Sequence, residues 1–399
     1  MRKFRYPVVL FSFPHTSLSQ SKNMTSQCRE VYSPQSARKW TTERDRKICP
    51  MVAIDQLPVK VFHNIFDKFL YSGHLIKTLD DSTRPLLSNN FHADPTVLGQ
   101  VCSSWREVAL GYPKLWHNIL ILNPKKSQVY LTEQWLQRAG TAPLNLMIRI
   151  TKDPKDAKDR DEEAIATRSI LRSIFSRTEH WREIDLQLPT NVMTPDMVST
   201  LQDSKTCSRL EFANVMFKSH DSNLLLLHHW EWGNDVYMEF WKFFSQSPSL
   251  CRVGWTYCPQ EIILADTQRD QLTQVSLFSS VYLQGLITLL IHAQSLVWLS
   301  SFIFRGIDTT SSISSGTVDL NRLHTLKVDF GCERISTLLD YITCPSLRDL
   351  EIASSLSNDQ ALSDSDSFRQ FLSRSRCQLN DLSLGGGISA RIIILIGKS

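Results

Sequence analysis

From Leu57 onward the apolar positions fall at 58, 61, 62, 65, 66, 69 and 70, which is one face of a helix with 3.6 residues per turn. Asp55 stands where a capping acid belongs, and Pro58 fits the first turn, where its missing N–H costs no hydrogen bond. Between 71 and 93 the periodicity lapses into Gly73, Asp80, Asp81, Ser82, Pro85, Ser88 and Asn89, the chemistry of a loop. A second helix is predicted from Asp94-Pro95, with Val97, Leu98, Val101, Cys102, Trp105, Val108 and Ala109 at helical spacing up to Gly111. Tyr112 to Trp116 follows as a short turn. Residues 51–122 therefore read as a small helical module with a long internal loop.

After residue 123 the pattern changes to a repeat. A helix is predicted over Val129–Ala139, ending at Gly140, and Pro143 to Ile150 alternates as a strand. Residues 152–163, with 4 basic and 6 acidic side chains, read as a solvated connection. A signature of large-x-x-apolar-x-apolar then recurs at Trp181-x-x-Ile184-x-Leu186, Leu250-x-x-Val253-x-Trp255, Leu272-x-x-Val275-x-Leu277, Leu323-x-x-Leu326-x-Val328, Leu347-x-x-Leu350-x-Ile352 and Leu379-x-x-Leu382-x-Leu384. Leu296-x-x-Leu299 and Leu210-x-Phe212 look like degraded copies. From Leu250 the first positions lie 22, 24, 27, 24 and 32 residues apart, centred on the roughly 20–29 of leucine-rich repeats. Helical returns are predicted at Met238–Phe244, Leu283–Ala293, Ile335–Ile342 and Ser367–Ser373, and the Pro-Ser-Leu triplets ending at Leu250 and Leu347 mark turns into strands. The expected fold is mainly α plus α/β: the helical module, then over 123–399 an irregular leucine-rich-repeat-like solenoid of short parallel strands alternating with helices. Its end, Gly385 to Ile396, is apolar and lacks a polar cap, which suggests a truncated or mis-spliced last repeat.

Composition narrows the function classes. The 399 residues carry a formal charge of +4, but the first 50 hold 10 Lys/Arg against 3 Asp/Glu, leaving 34 against 37 in the remainder. The folded body is near neutral, so the concentrated basic face that nucleic-acid binding requires is missing. No run of about 18 apolar residues exists to cross a bilayer. Residues 1–50 read as a disordered, basic, Ser-rich tail. A mitochondrial leader is the lesser alternative, because Pro7 and Pro14 break the apolar run and no small-x-small cleavage site follows. Met51 directly precedes the patterned region and is a candidate functional start. Nine cysteines without a Cys-x-x-Cys pair fit free thiols of a reducing compartment, the cytoplasm or nucleus.

The strings Ile54-x-x-Leu57-Pro58-x-x-Val61-x-x-x-Ile65-Phe66, Leu98-x-x-Val101-Cys102-x-x-Trp105-Arg106-x-Val108-Ala109 and Pro113-x-Leu115-Trp116 resemble the F-box, in the F-box-like form expanded in mushroom-forming fungi. The long 71–93 loop departs from the compact F-box, although inserting into a surface loop is thermodynamically cheap. Trp135-Leu136-x-Arg138-Ala139, Gln271-Leu272-Thr273 and Phe371-Leu372-Ser373-Arg374-Ser375 extend the resemblance into the repeats. It implies a substrate receptor that docks a Skp-type adaptor, and through it a cullin, in a ubiquitin ligase, with an unknown protein client held by the repeats. Carried over by position, the adaptor contacts are Leu57, Pro58, Ile65, Phe66, Val101, Cys102 and Trp105, with Leu115 and Trp116 closing the module. Plain core packing is the competing reading of each apolar member. Two rival functions stand beside this one: a repeat scaffold that recruits no ligase, and an enzyme without a motif.

Little in the chain supports chemistry. No phosphate-binding glycine loop and no Gly-x-Ser-x-Gly elbow occurs, His228-His229 has no completing ligands, and Cys251 and Cys258 read as ordinary repeat positions. No catalytic residue, metal site or cofactor is expected. In the aromatic segment 228–244, Trp230 and Trp232 ahead of Gly233 are the candidates for client contact, while Tyr237, Phe240, Trp241 and Phe244 fall at helical spacing and read as core.

Overall fold

A computed structural model describes residues 57–71, 95–150, 156–203, 206–218, 234–255, 271–305, 317–330, 336–354 and 358–386. The expectations for the tail, Met51, the loop beyond Tyr71, His228-His229, Trp230, Trp232 and the chain after Gly386 lie outside these residues. Leu57–Ser399 groups as one compact unit.

The chain folds as α/β. Helices α1 (Val59–Tyr71) and α2 (Ser103–Leu110) come first, followed by β1 (Asn118–Leu122), α3 (Lys126–Ala139), β2 (Leu144–Arg149), α4 (Ala157–Phe175), β3 (Trp181–Pro189), α5 (Pro195–Gln202), β4 (Phe212–Lys218), α6 (Asn234–Ser245) and β5 (Arg252–Trp255). Then come β6 (Gln274–Tyr282), α7 (Leu283–His292), β7 (Trp298–Arg305), β8 (Val318–Asp319), β9 (Thr325–Asp329), α8 (Ser336–Leu339), β10 (Ile342–Thr343), β11 (Asp349–Ser354), α9 (Asn358–Ser375) and β12 (Asp381–Gly386). Ten strands form one parallel sheet in the order β1-β2-β3-β4-β5-β6-β7-β9-β11-β12, while β8 and β10 pair separately. Each strand is laid on the edge left by its predecessor.

The sequence enforces that order through two in-register apolar ladders. One runs Ile119, Leu146, Ile184, Ala213, Val253, Val275, Leu299, Leu326, Leu350, Leu382. The other runs Ile121, Ile148, Leu186, Val215, Trp255, Leu277, Ser301, Val328, Ile352, Leu384. All rungs but Leu382 and Leu384 are buried in a single continuous core. Ser301 is the polar exception, and its hydroxyl has no partner among the described residues. A strand offers one face every second residue, so each unit leaves an apolar row exposed until the next strand covers it.

The register corrects the sequence reading in several places. In β4 the repeat is Leu210-x-x-Ala213-x-Val215, and Phe212 points to the opposite face, packed with Met147 and against Leu120. The small Ala213 had hidden the copy. A further copy, Trp116-x-x-Ile119-x-Ile121, starts the sheet at β1, inside the 51–122 segment assigned to the helical module. Part of the charged 152–163 stretch is the first turns of α4, which Asp156 caps by accepting the Asp159 N–H at 2.8 Å. The helix expected over 335–342 is only α8, because Ile342-Thr343 pairs instead with Val318-Asp319. Elsewhere α3 ends where Gly140 adopts φ 57 and donates its N–H to the Leu136 carbonyl. Gly254 is required by close approach: a Cβ there would lie 2.2 Å from Asn214 Oδ1 and 3.1 Å from the Phe278 ring.

Candidate interaction surfaces

Two surfaces carry unusual chemistry: the helical module, and the face of the sheet opposite the apolar ladders. In the module, Phe62 and Phe66 turn inward from α1 and meet Trp105 of α2 with ring centroids 5.8 and 5.2 Å apart. Trp105 is half-buried, and its indole N–H has no partner among the described residues. His63 stacks on Tyr112 at 3.8 Å, and Tyr112 Oη and Lys114 Nζ both reach Asp67, at 3.2 and 2.7 Å. These contacts lock α1 onto the turn at 112–115.

The helix expected from Asp94 to Gly111 is broken. Pro95–Gln100 is a 3-10 turn, Cys102 is extended, and α2 starts only at Ser103, with the Trp105 N–H donating to Cys102 Sγ at 3.5 Å. Arg106 Nε bridges the break by donating to the Gly99 carbonyl at 2.8 Å. The kink turns Val101 outward, 57 % exposed. Pro58 is exposed just ahead of α1, its carbonyl accepting the Val61 N–H at 2.8 Å. It therefore sits at the N-cap rather than inside the first turn.

The nine residues singled out from the sequence divide accordingly. Pro58 and Val101 are exposed, Leu57, Ile65, Cys102 and Trp105 are half-buried, and Phe66, Leu115 and Trp116 are buried. The last three fill the core of the module and its joint with β1, so no partner reaches them without unpacking it. Trp116 is 1 % exposed, donates its indole N–H to the Ala109 carbonyl at 2.9 Å, and meets Trp135 edge-on with Arg138 4.5 Å above its ring. Val59, Val61, Val97 and Leu110 join Val101 at the surface, so the module holds five of the eleven exposed large apolar residues described. Helical periodicity did not single out Val59 or Leu110, and it placed Val61 and Val97 on the apolar face, since it marks a face without saying what covers it.

His117, between the module and β1, is buried, and its imidazole is pushed down to about 4 by burial and then by Arg182 and Lys114, with Asp67 opposing. The unfolded chain therefore takes up the proton first as pH falls below 6.5. Stability fully present above pH 6.5 is lost progressively down to about pH 4, with an upper bound of about 3 kcal/mol. Urea melts at pH 7 and pH 5 should show a larger loss for the native chain than for His117→Gln. Equal losses in the two would place the acid sensitivity elsewhere.

On the opposite face of the sheet, charges pair across strands. Arg149 Nη2 of β2 donates to Asp185 Oδ2 of β3 at 2.6 Å, and Asn214 Nδ2 of β4 donates to Asp185 Oδ1 at 2.8 Å. Arg252 Nη2 of β5 donates to Glu183 Oε1 at 3.0 Å while its guanidinium lies 5.1 Å from the Phe212 ring centroid. Asn145 Nδ2 donates to Asn118 Oδ1 at 2.6 Å, and farther along Lys327 pairs with Glu351 at 3.0 Å. With Leu120, Met147 and Phe212 between them, these groups make a face of mutually paired donors and acceptors.

Among the described residues no three His, Cys, Asp or Glu side chains gather as metal ligands. The buried thiols of Cys207 and Cys344 are pushed up to about 12 by burial, which keeps them protonated at neutral pH. No helix among the described residues is long and apolar enough to cross a membrane. The chain is thus an α/β protein built on a mostly parallel sheet. No protein-family model and no curated protein matches it.

Proposed function

We propose that this chain is an F-box-like substrate receptor: the helical module docks a Skp-type adaptor of a cullin-RING ubiquitin ligase, and a leucine-rich-repeat-like solenoid presents a protein client. The observation carrying the reading is the apolar rim of Pro58, Val59, Val61, Val97 and Val101 on so small a module. Several large apolar side chains left exposed on one small module support a partner site. The sequential parallel strands, each on the edge of the last, support the solenoid. Such a receptor does no bond chemistry and acts by raising the effective concentration of client lysines near the charged enzyme.

The rival, a scaffold that recruits no ligase, draws support from the burial of Phe66, Leu115 and Trp116. Co-purification of the full chain with a Skp-type adaptor separates the two. The native chain should retain the adaptor, and Val59→Glu/Val101→Glu should lose it by more than about tenfold, since both sites are exposed and the fold survives. A folded native chain that retains no adaptor, or a variant that retains it equally, would overturn the receptor reading.

A further inference from the structure

At the last three turns of the sheet the residues just before the strands form a polar column. The Arg348 N–H donates to the His324 carbonyl at 2.8 Å and the Asn380 N–H to the Arg348 carbonyl at 2.6 Å, so His324, Arg348 and Asn380 sit one above another. The same hydrogen bonds carry the column back through the uncharged Val297, Thr273 and Cys251 to Glu211 and Arg182, where an acid stands next to the base. Beside the column lies an open cavity of about 440 Å³, lined by His324, Arg348, Arg376, Ser346, Gln378 and Asn380 over the buried Leu347.

Three features set this solvent-open cavity apart, although Arg348, Arg376, Gln378 and Asn380 are themselves exposed. Among the described residues neither Arg348 nor Arg376 has an ion-pair partner. The nearest acids in sequence, Asp349 and Asp381, do not line the cavity, and Asp349 Oδ2 accepts from Thr325 Oγ1 at 3.1 Å. Arg376 has φ 50 at the end of α9, its N–H donating to the Leu372 carbonyl at 2.8 Å. That is a left-handed conformation where glycine or asparagine would fit without strain. An arginine there holds its backbone under strain.

We propose that this cavity binds a dianionic phosphate monoester. Two guanidinium forks supply paired N–H donors matched to phosphate oxygens, and the His324, Ser346, Gln378 and Asn380 side chains supply neutral hydrogen bonds. Two cations lining one cavity exceed what one carboxylate neutralises, which favours a doubly charged ligand. The site stands whether or not the helical module docks an adaptor.

Calorimetric titration of the full chain at constant ionic strength tests it, with inorganic phosphate, acetate, O-phosphoserine, and the peptide Ala-Ala-phosphoserine-Ala-Ala beside its unphosphorylated form as probes. Saturable binding of phosphate, at least about tenfold tighter than acetate, is expected. Equal affinity for O-phosphoserine and the phosphopeptide would identify a free monoester as the ligand, and a tenfold preference for the phosphopeptide would identify a phosphorylated chain. Arg376→Gly should weaken phosphate binding at least about tenfold while its melting temperature holds or rises, because glycine accepts φ 50 without strain. Acetate binding as tightly as phosphate, no saturable phosphate binding, or unchanged affinity in Arg348→Gln/Arg376→Gly would overturn the assignment.

Discussion

Replacing Trp116 with alanine is expected to lower the unfolding free energy by about 3–5 kcal/mol, the range for deleting a large aromatic from a core that relaxes only in part. The side chain is buried where the module meets the first strand, and it is held from three sides by the Ala109 carbonyl, the Trp135 ring and the Arg138 guanidinium. Removing it leaves a cavity and takes one donor from the Ala109 carbonyl, which keeps the Tyr112 N–H at 3.4 Å. Tyr130→Ala, at an exposed site, is the control and should fall within about 0.5 kcal/mol of the native chain. Urea unfolding of both measures the difference. A Trp116→Ala cost below about 1 kcal/mol would mean that the module and sheet are not joined through this residue.

The second large effect is predicted at Asp185, whose carboxylate is nearly enclosed while accepting from both Arg149 and Asn214. Asp185→Ala strands a guanidinium and an amide, at a cost of about 3 kcal/mol, less than for a fully dry pair because Arg149 remains a quarter exposed to solvent. Replacing both charges by apolar groups of similar size removes the stranded cation. Asp185→Leu/Arg149→Met should therefore recover most of the loss. A double variant no better than the single one would show that the carboxylate acts mainly through Asn214.

These two residues illustrate how far the chain can be read unaided. The repeat was legible where the ladder residues are large and apolar, as at Leu250-x-x-Val253-x-Trp255, because period-two alternation is visible in a single strand. It was lost at Ala213, too small to register, and at Trp116-x-x-Ile119-x-Ile121, where the anchor also ended a helical pattern. The Arg149–Asp185 pair joins positions 36 residues apart, and the column of His324, Arg348 and Asn380 spans three turns, so neither exists until the register is fixed. The division of the adaptor candidates into surface and core likewise depends on the break at Cys102, a local capping event within an otherwise continuous helical periodicity.

The receptor reading meets its most direct test in hydrogen exchange of the full chain, alone and with a Skp-type adaptor, read by mass spectrometry. Slowed exchange confined to peptides covering 57–66 and 97–106, with strands β2 to β7 unchanged, is the predicted result. Protection on the sheet alone, or none under conditions where the adaptor is known to be folded, would contradict the assignment of the helical module as the docking surface.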